Sequence, residues 1–167
     1  MTNQIQIRRD LAANWTSANP TLASGEIGYE TNTKKLKLGD GATAWISLPY
    51  FPSDSGWLTP TLTSPYSDGS GFGFNPPGYR KIGNVVYLRG LFVVTTATND
   101  QAVFTLPSGY RPTGHLAVSA TWPGTDTGVQ SVNIEGPTGG TFGIVRFTWT
   151  GTKPAMICID GISFTVD

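Results

Sequence analysis

The stretch Ser24–Phe51 reads SGEIGYETNTKKLKLGDGATAWISLPYF, and its reading decides the fold. Apolar and polar residues alternate in short runs, which predicts three strands, Glu26–Glu30, Lys35–Leu38 and Ala44–Leu48. Between them, Thr31–Lys34 and Gly39-Asp40-Gly41 supply turn chemistry, because Asn and Gly tolerate positive φ. Three strands of this length expose more backbone edge and apolar surface than they cover. The block therefore needs partners.

Upstream, Gln4–Arg8 alternates apolar and polar residues and predicts a short strand. Asp10 stands where a helix N-cap belongs, ahead of Leu11–Ala18, and Asn19-Pro20 ends the helix because the residue before a proline avoids the helical region. Leu11 and Trp15 are spaced to share one helical face. A helix of about two turns is marginal without tertiary packing. The expected cover is the strand block, through Ile27, Tyr29, Leu36, Leu38 or Trp45.

Downstream the composition changes twice. Residues 52–78 carry Pro52, Pro60, Pro65, Pro76 and Pro77 with many Gly and Ser, and read as a connector. Its aromatics, among them Trp57, Tyr66, Phe72 and Phe74, suit a segment that runs over a protein surface. Residues 79–167 alternate strongly. Tyr79–Ile82, the Gly-first turn Gly83-Asn84 and Val85–Val94 form a hairpin, with both faces of the long strand apolar. Strands follow at Ala102–Leu106, Leu116–Trp122, Val129–Ile134, Phe142–Trp149 and Ala155–Val166, the last with a bulge at Asp160-Gly161. The fold class is all-β, mainly antiparallel, with one short N-terminal helix and a C-terminal β-sandwich or jelly-roll-like head.

Charged residues are 13% of the chain, against about 25% in an average domain, and Lys+Arg balance Asp+Glu at 11 each. No basic stripe tracks a phosphate backbone, so nucleic acid is not an expected partner. No apolar run approaches the ~20 residues that span a bilayer, and the first ten residues are polar and charged, so neither a membrane nor a leader is expected. Cys158 is the one cysteine and His115 the one histidine, which leaves no set of metal ligands of those types. Asp40, Asp54, Asp68, Asp100, Asp126 and Asp160 sit in turn-like sequences with no paired-acid signature. No catalytic residues, metal or cofactor are expected. Loop-borne Tyr110, Trp122 and Trp149 are candidates to stack on sugar faces, with Asp126 accepting hydroxyl hydrogen bonds.

Several runs carry a family resemblance. They are Ile5-Gln-Ile-Arg-Arg9, Ala13-Asn-Trp15, Leu22-Ala-Ser-Gly-Glu-Ile-Gly-Tyr-Glu30, Thr33-Lys-Lys-Leu-Lys-Leu-Gly-Asp-Gly41, Thr43-Ala-Trp45 and Leu48-Pro-Tyr50. Over about residues 4–51 the chain resembles the N-terminal domain of phage major tropism determinant and tail-fibre proteins, with Asn32 where Asp is common. The head is more loosely similar to phage receptor-binding and fibre proteins at Gly83–Gly90, Thr105–Pro112 and Ile159–Phe164. The resemblance implies a homotrimer in the virion; assembly in the host cytoplasm is expected from the polar, charged first ten residues. Residues 1–51 would be the anchoring and trimerising domain, 52–78 the connector and 79–167 the head. Ile5, Ile7, Trp15, Ile27, Tyr29, Leu36, Leu38, Trp45 and Tyr50 become candidates for trimer or anchor contacts.

The expected function is a short tail fibre or receptor-binding protein. Its partners are copies of itself, other tail, baseplate or capsid proteins, and host cell-surface carbohydrate. The alternative is a capsid decoration or head-fibre protein, which the shortness of the chain favours. A virion enzyme that degrades polysaccharide ranks third, for want of paired acids.

Overall fold

The computed structural model describes residues 7–120, 130–137 and 142–166. The chain divides into two compact units, Met1–Asp54 and Ser55–Asp167.

The first unit holds β1 (Arg8–Asp10), α1 (Ala12–Ala18), β2 (Ile27–Glu30), β3 (Leu36–Leu38) and β4 (Tyr50–Phe51). They form one sheet in the order β1-β2-β3-β4, in which β1 runs parallel to β2 and the other pairs are antiparallel. Trp15, Leu22, Trp45 and Leu48 make its core. Among the described residues the N-terminal strand is Arg8–Asp10, which shares Arg8 with the expected run Gln4–Arg8; residues 4–6 of that run are outside the described residues.

The helix start also differs from expectation. Leu11, not Asp10, is the N-cap residue, and no side chain caps it. The Asp10 carboxylate instead accepts from Leu11 N–H and Asn14 Nδ2, both at 2.7 Å. Asn32 Oδ1 takes the Ala12 N–H at 2.9 Å, so the first helical donor is satisfied from the β2–β3 turn. Leu11 is exposed, because the face of α1 that packs is the one centred on Trp15. Asn19 ends the helix in the left-handed region at φ 41°.

Ala44–Leu48 is not a strand. Trp45–Ser47 forms one 3-10 turn, and β4 follows it. Trp45 N–H donates to Pro20 O, Ile46 N–H to Asn19 Oδ1 and Lys37 Nζ to Trp45 O. These bonds take up backbone groups that a strand would have paired, and the turn swings the indole into the core. The positive φ in the β2–β3 turn falls on Lys34 (61°), not on Asn32.

The second unit takes in most of the segment read as a connector. β5 (Tyr66–Asp68) lies within it and pairs with β8 (Leu91–Val94), while Leu58 bridges to Tyr79. The aromatic content of this segment explains the difference: Tyr66 is buried in the core. The remaining strands are β6 (Gly78–Ile82), β7 (Val85–Arg89), β9 (Ala102–Thr105), β10 (Leu116–Ser119), β11 (Gln130–Ile134), β12 (Ile144–Trp149), β13 (Met156–Cys158) and β14 (Ser163–Thr165). One sheet has the order β10-β11-β12-β9. Opposite it, β7 and β8 form the central column of a second layer, flanked by β14 and β13 on one side and by β6 and β5 on the other.

The two long strands of that layer both break, and they break side by side. β7 gives way to β8 at Gly90, and β13 gives way to β14 across Ile159–Ile162. Gly90 has φ 116°, and a Cβ there would lie 2.5 Å from Pro77 Cα, so no larger residue fits. The Asp160 carboxylate accepts the Gly90 N–H at 2.9 Å and ties the two breaks together. The interruption near Asp160-Gly161 is thus a turn bounded by two strands, with Gly161 at φ 88°. Gly83 at φ 60° fits the Gly-first hairpin turn.

The core lies between the layers. Val86, Leu88, Phe92 and Val94 meet Val132, Ile134, Val145 and Phe147 there. The other face of the long strand is not covered throughout, since Tyr87 is exposed on it. The fold is all-β with one α-helix among the described residues.

Candidate functional site

The sheet of the first unit has two chemically different faces. Register places Arg8, Gly28, Lys37 and Tyr50 in one row across it, with Glu30 on the same side. This inner row packs on two stacked indoles. Trp15 and Trp45 lie 4.1 Å apart at 14°, and Trp15 Nε1 donates to Tyr29 O. Gly28 is required here: a Cβ would sit 2.4 Å from Cζ3 of Trp45.

A buried polar group completes the inner face. Glu30 and Lys37 are both almost fully buried. Glu30 accepts from the Tyr50 and Thr33 hydroxyls. Lys37 Nζ lies 5.0 Å from the Trp45 ring centroid and 4.5 Å from that of Tyr50. Burial lowers the Lys37 pKa, and the Glu30 charge acts in the opposite sense. The Tyr50 phenol is pushed up, first by burial and then by its bond to Glu30.

The outer face is the complement. The next row is Arg9, Tyr29, Leu36 and Phe51, with Ile27 paired to Leu38 beside it. Ile27 is 38% exposed, Leu38 47% and Phe51 64%, while Tyr29 and Leu36 are half-buried. Ile7, one residue before β1 and in phase with Arg9, is 40% exposed. Hence the candidate assembly residues divide by physics. Trp15 and Trp45 are core, Tyr50 belongs to the inner polar group, and Ile7, Ile27, Tyr29, Leu36 and Leu38 are gathered on the outer side. Ile5 lies outside the described residues. Phe51 was missed as a member of this set, although its alternation with Tyr50 was the available signal.

The ligand-binding candidates fare differently. Trp149 is 9% exposed and belongs to the core, so it offers no stacking surface. Tyr110 packs edge-on to Tyr79 at 5.1 Å, partly buried against the core. Trp122 and Asp126 lie outside the described residues. The core placement of Trp149 follows from its register in β12, which sequence neighbours such as Thr150-Gly151 do not reveal.

Acidic residues act as turn formers. Asp40 oxygens accept from Thr43 Oγ1, Thr43 N–H and Ala42 N–H at 2.5, 2.7 and 2.9 Å. The Thr43 hydroxyl, followed by those backbone donors, holds the Asp40 pKa down to about 2. A lowered folded-state pKa means that this contribution is fully present above the ordinary value of 3.8 and is lost as pH falls through about 2. In an acid titration followed by side-chain carboxyl NMR, Asp40 is expected to titrate near pH 2 with the loop amides of Ala42 and Thr43. A midpoint near 4 would contradict the loop geometry.

His115 Nδ1 accepts the Gly136 N–H at 3.2 Å. Among the described residues no group of His, Cys, Asp or Glu is arranged to hold a metal, and no helix is long and apolar enough to cross a membrane.

No curated protein and no solved structure matches the chain. One family model does, over residues 5–43, and its span stops short of Trp45 and Tyr50 and does not reach the head. Residues 5–43 match the family model of the major tropism determinant N-terminal domain, which is the family this part of the chain is similar to.

Proposed function

We propose that the chain is a structural phage virion protein. In this reading it is a homotrimeric short tail fibre or receptor-binding protein, anchored to other virion proteins by its first unit, with its second unit presented to host-surface carbohydrate. The observation that carries this reading is the outer face of the first sheet. Ile7, Ile27, Leu38 and Phe51 expose apolar surface on one side of a unit whose own core, among the described residues, is four residues. Contiguous apolar surface of this kind marks an interaction site, and burial against copies of the chain removes it from water in proportion to its area. The family match spans Ile7, Ile27 and Leu38 of this face and supports the same reading. No catalytic role is assigned, in keeping with carboxylates committed to turns at Asp40, Asp68 and Asp160. The protein acts in the virion after assembly in the host cytoplasm, without nucleic acid or membrane as partner.

Sedimentation of the full chain tests the assembly. The expected species has three times the 17.8 kDa chain mass. The double substitution Ile27→Asp/Leu38→Asp, on exposed positions of an opposed pair, is expected to give a monomer with the wild-type far-UV circular dichroism. A wild-type chain that sediments as a stable monomer at micromolar concentration would refute the trimer.

A further inference from the structure

The outer face of the layer built from β6, β7 and β14 carries a second cluster, remote in chemistry from the apolar face above. Val86 and Leu88 fill the core, so Val85, Tyr87 and Arg89 point outward from β7. Across the register, Arg80 of β6 lies opposite Tyr87, Gly78 lies opposite Arg89, and Ser163 of β14 lies on the far side of Tyr87. Trp57 joins this face from the preceding segment, because Leu58 and Tyr79 exchange both backbone hydrogen bonds, at 2.8 and 3.0 Å.

Gly78 makes room for the ring. A Cβ there would lie 3.4 Å from Trp57 Cε3 and 3.2 Å from Arg89 Nε, tighter than an easy fit for either group. Arg89 Cζ is 4.2 Å from the Trp57 ring centroid, and Arg80 Cζ is 5.9 Å from it. Trp57 and Tyr87 are each 37% exposed. Arg89 Nε is buried with no hydrogen-bond partner, and no described carboxylate pairs with its guanidinium.

We propose that Trp57, Arg80, Tyr87 and Arg89 form a binding site for an oxyanion, carboxylate or phosphate, carried on a host-surface glycan. The proposal rests on the reading of the second unit as host-facing and gives that unit a site and a ligand chemistry. A guanidinium stacked on an indole has its plane held by the ring while its terminal N–H groups remain directed sideways. That is the arrangement that receives a planar or tetrahedral oxyanion through paired hydrogen bonds. The Arg89 guanidinium brings positive charge to the indole, and an anion in reach of it offsets that charge. The exposed ring surface of Trp57 and Tyr87 and the Ser163 hydroxyl supply the apolar and polar contacts that a sugar ring uses.

The test is calorimetric titration of the full chain at physiological salt with three polymers: polygalacturonate, poly(glycerol phosphate) and neutral dextran. Saturable binding of at least one polyanion and none of dextran is expected. Polygalacturonate alone identifies a carboxylate ligand, and poly(glycerol phosphate) alone identifies a phosphate ligand. Arg89→Gln is expected to weaken binding at least ~10-fold. Arg89→Lys, which keeps the charge and loses the fork, and Tyr87→Ala at an exposed position are expected to weaken it by at least ~3-fold each. Equal binding by wild type and all three variants, or no binding of either polyanion, would overturn the site. Sedimentation of the same samples separates this from the assembly reading. A trimer that binds neither polymer sinks the site alone, and a monomer that binds one keeps the site and sinks the trimer.

Discussion

Trp45→Ala is expected to unfold the first unit while leaving the second intact. Trp45 is 1% exposed, stacked on Trp15 and covered by Gly28 on the sheet. Truncating a buried tryptophan costs about 3–5 kcal/mol, because the lost contacts are not replaced and the surroundings relax only in part. A unit of this size has roughly 3–8 kcal/mol of stability at ~0.05–0.15 kcal/mol per residue. Among the described residues its core is Trp15, Leu22, Trp45 and Leu48, so one substitution removes a quarter of these and one of their two largest side chains. Lys37 also loses the ring it lies over, 5.0 Å from the centroid. Amide NMR is the direct measurement: signals of residues 7–54 collapse toward random-coil shifts, and those of the second unit persist. Native shifts throughout the first unit would contradict the stacked core.

Phe147→Ala is expected to be the corresponding lesion in the second unit. Phe147 is fully buried, edge-on to Tyr66 at 5.5 Å and to Phe92 at 5.1 Å. Those partners come from β5 and β8 of the opposite layer, so the ring joins both sheets. The expected loss is about 3–5 kcal/mol, seen in urea unfolding as a lower midpoint at nearly unchanged slope. In a thermal melt it corresponds to a drop on the order of 10–20 °C. A loss under ~1 kcal/mol would mean that the two sheets do not share this core.

How much of this was legible follows from which signals are local. The alternation of Val86, Leu88, Phe92 and Val94 placed these four residues on one face, and the structure buries all of them. The Gly-first turn at Gly83-Asn84 was legible because positive φ at that position has few other solutions. Trp15 was expected to pack on the strand block, and it stacks on Trp45. By contrast, Ala44–Leu48 has the composition of a strand and became a turn, because donors and acceptors from Pro20, Asn19 and Lys37 claimed its backbone. Those partners lie up to 27 residues away in sequence, beyond any local pattern. The same holds for Trp149, read as a loop aromatic and found in the core, and for the Trp57–Arg89 stack, whose two members come from different segments.

The sequence by itself determined the class of fold, the strand periodicities of the head and the match of residues 5–43 to a tropism-determinant domain. Each is written in short-range spacing, which survives without knowledge of long-range partners. Only the tertiary structure decided which face of the first sheet is closed and which is open. Ile27, Tyr29, Leu36 and Leu38 alternate with Gly28, Glu30 and Lys37, and by hydrophobicity the first set would go inward. The reverse occurs: the stacked indoles need the flat surface over Gly28, and they carry Lys37 and Glu30 inside with them. Ile27, Tyr29, Leu36 and Leu38 are thereby left on the outward side of the sheet.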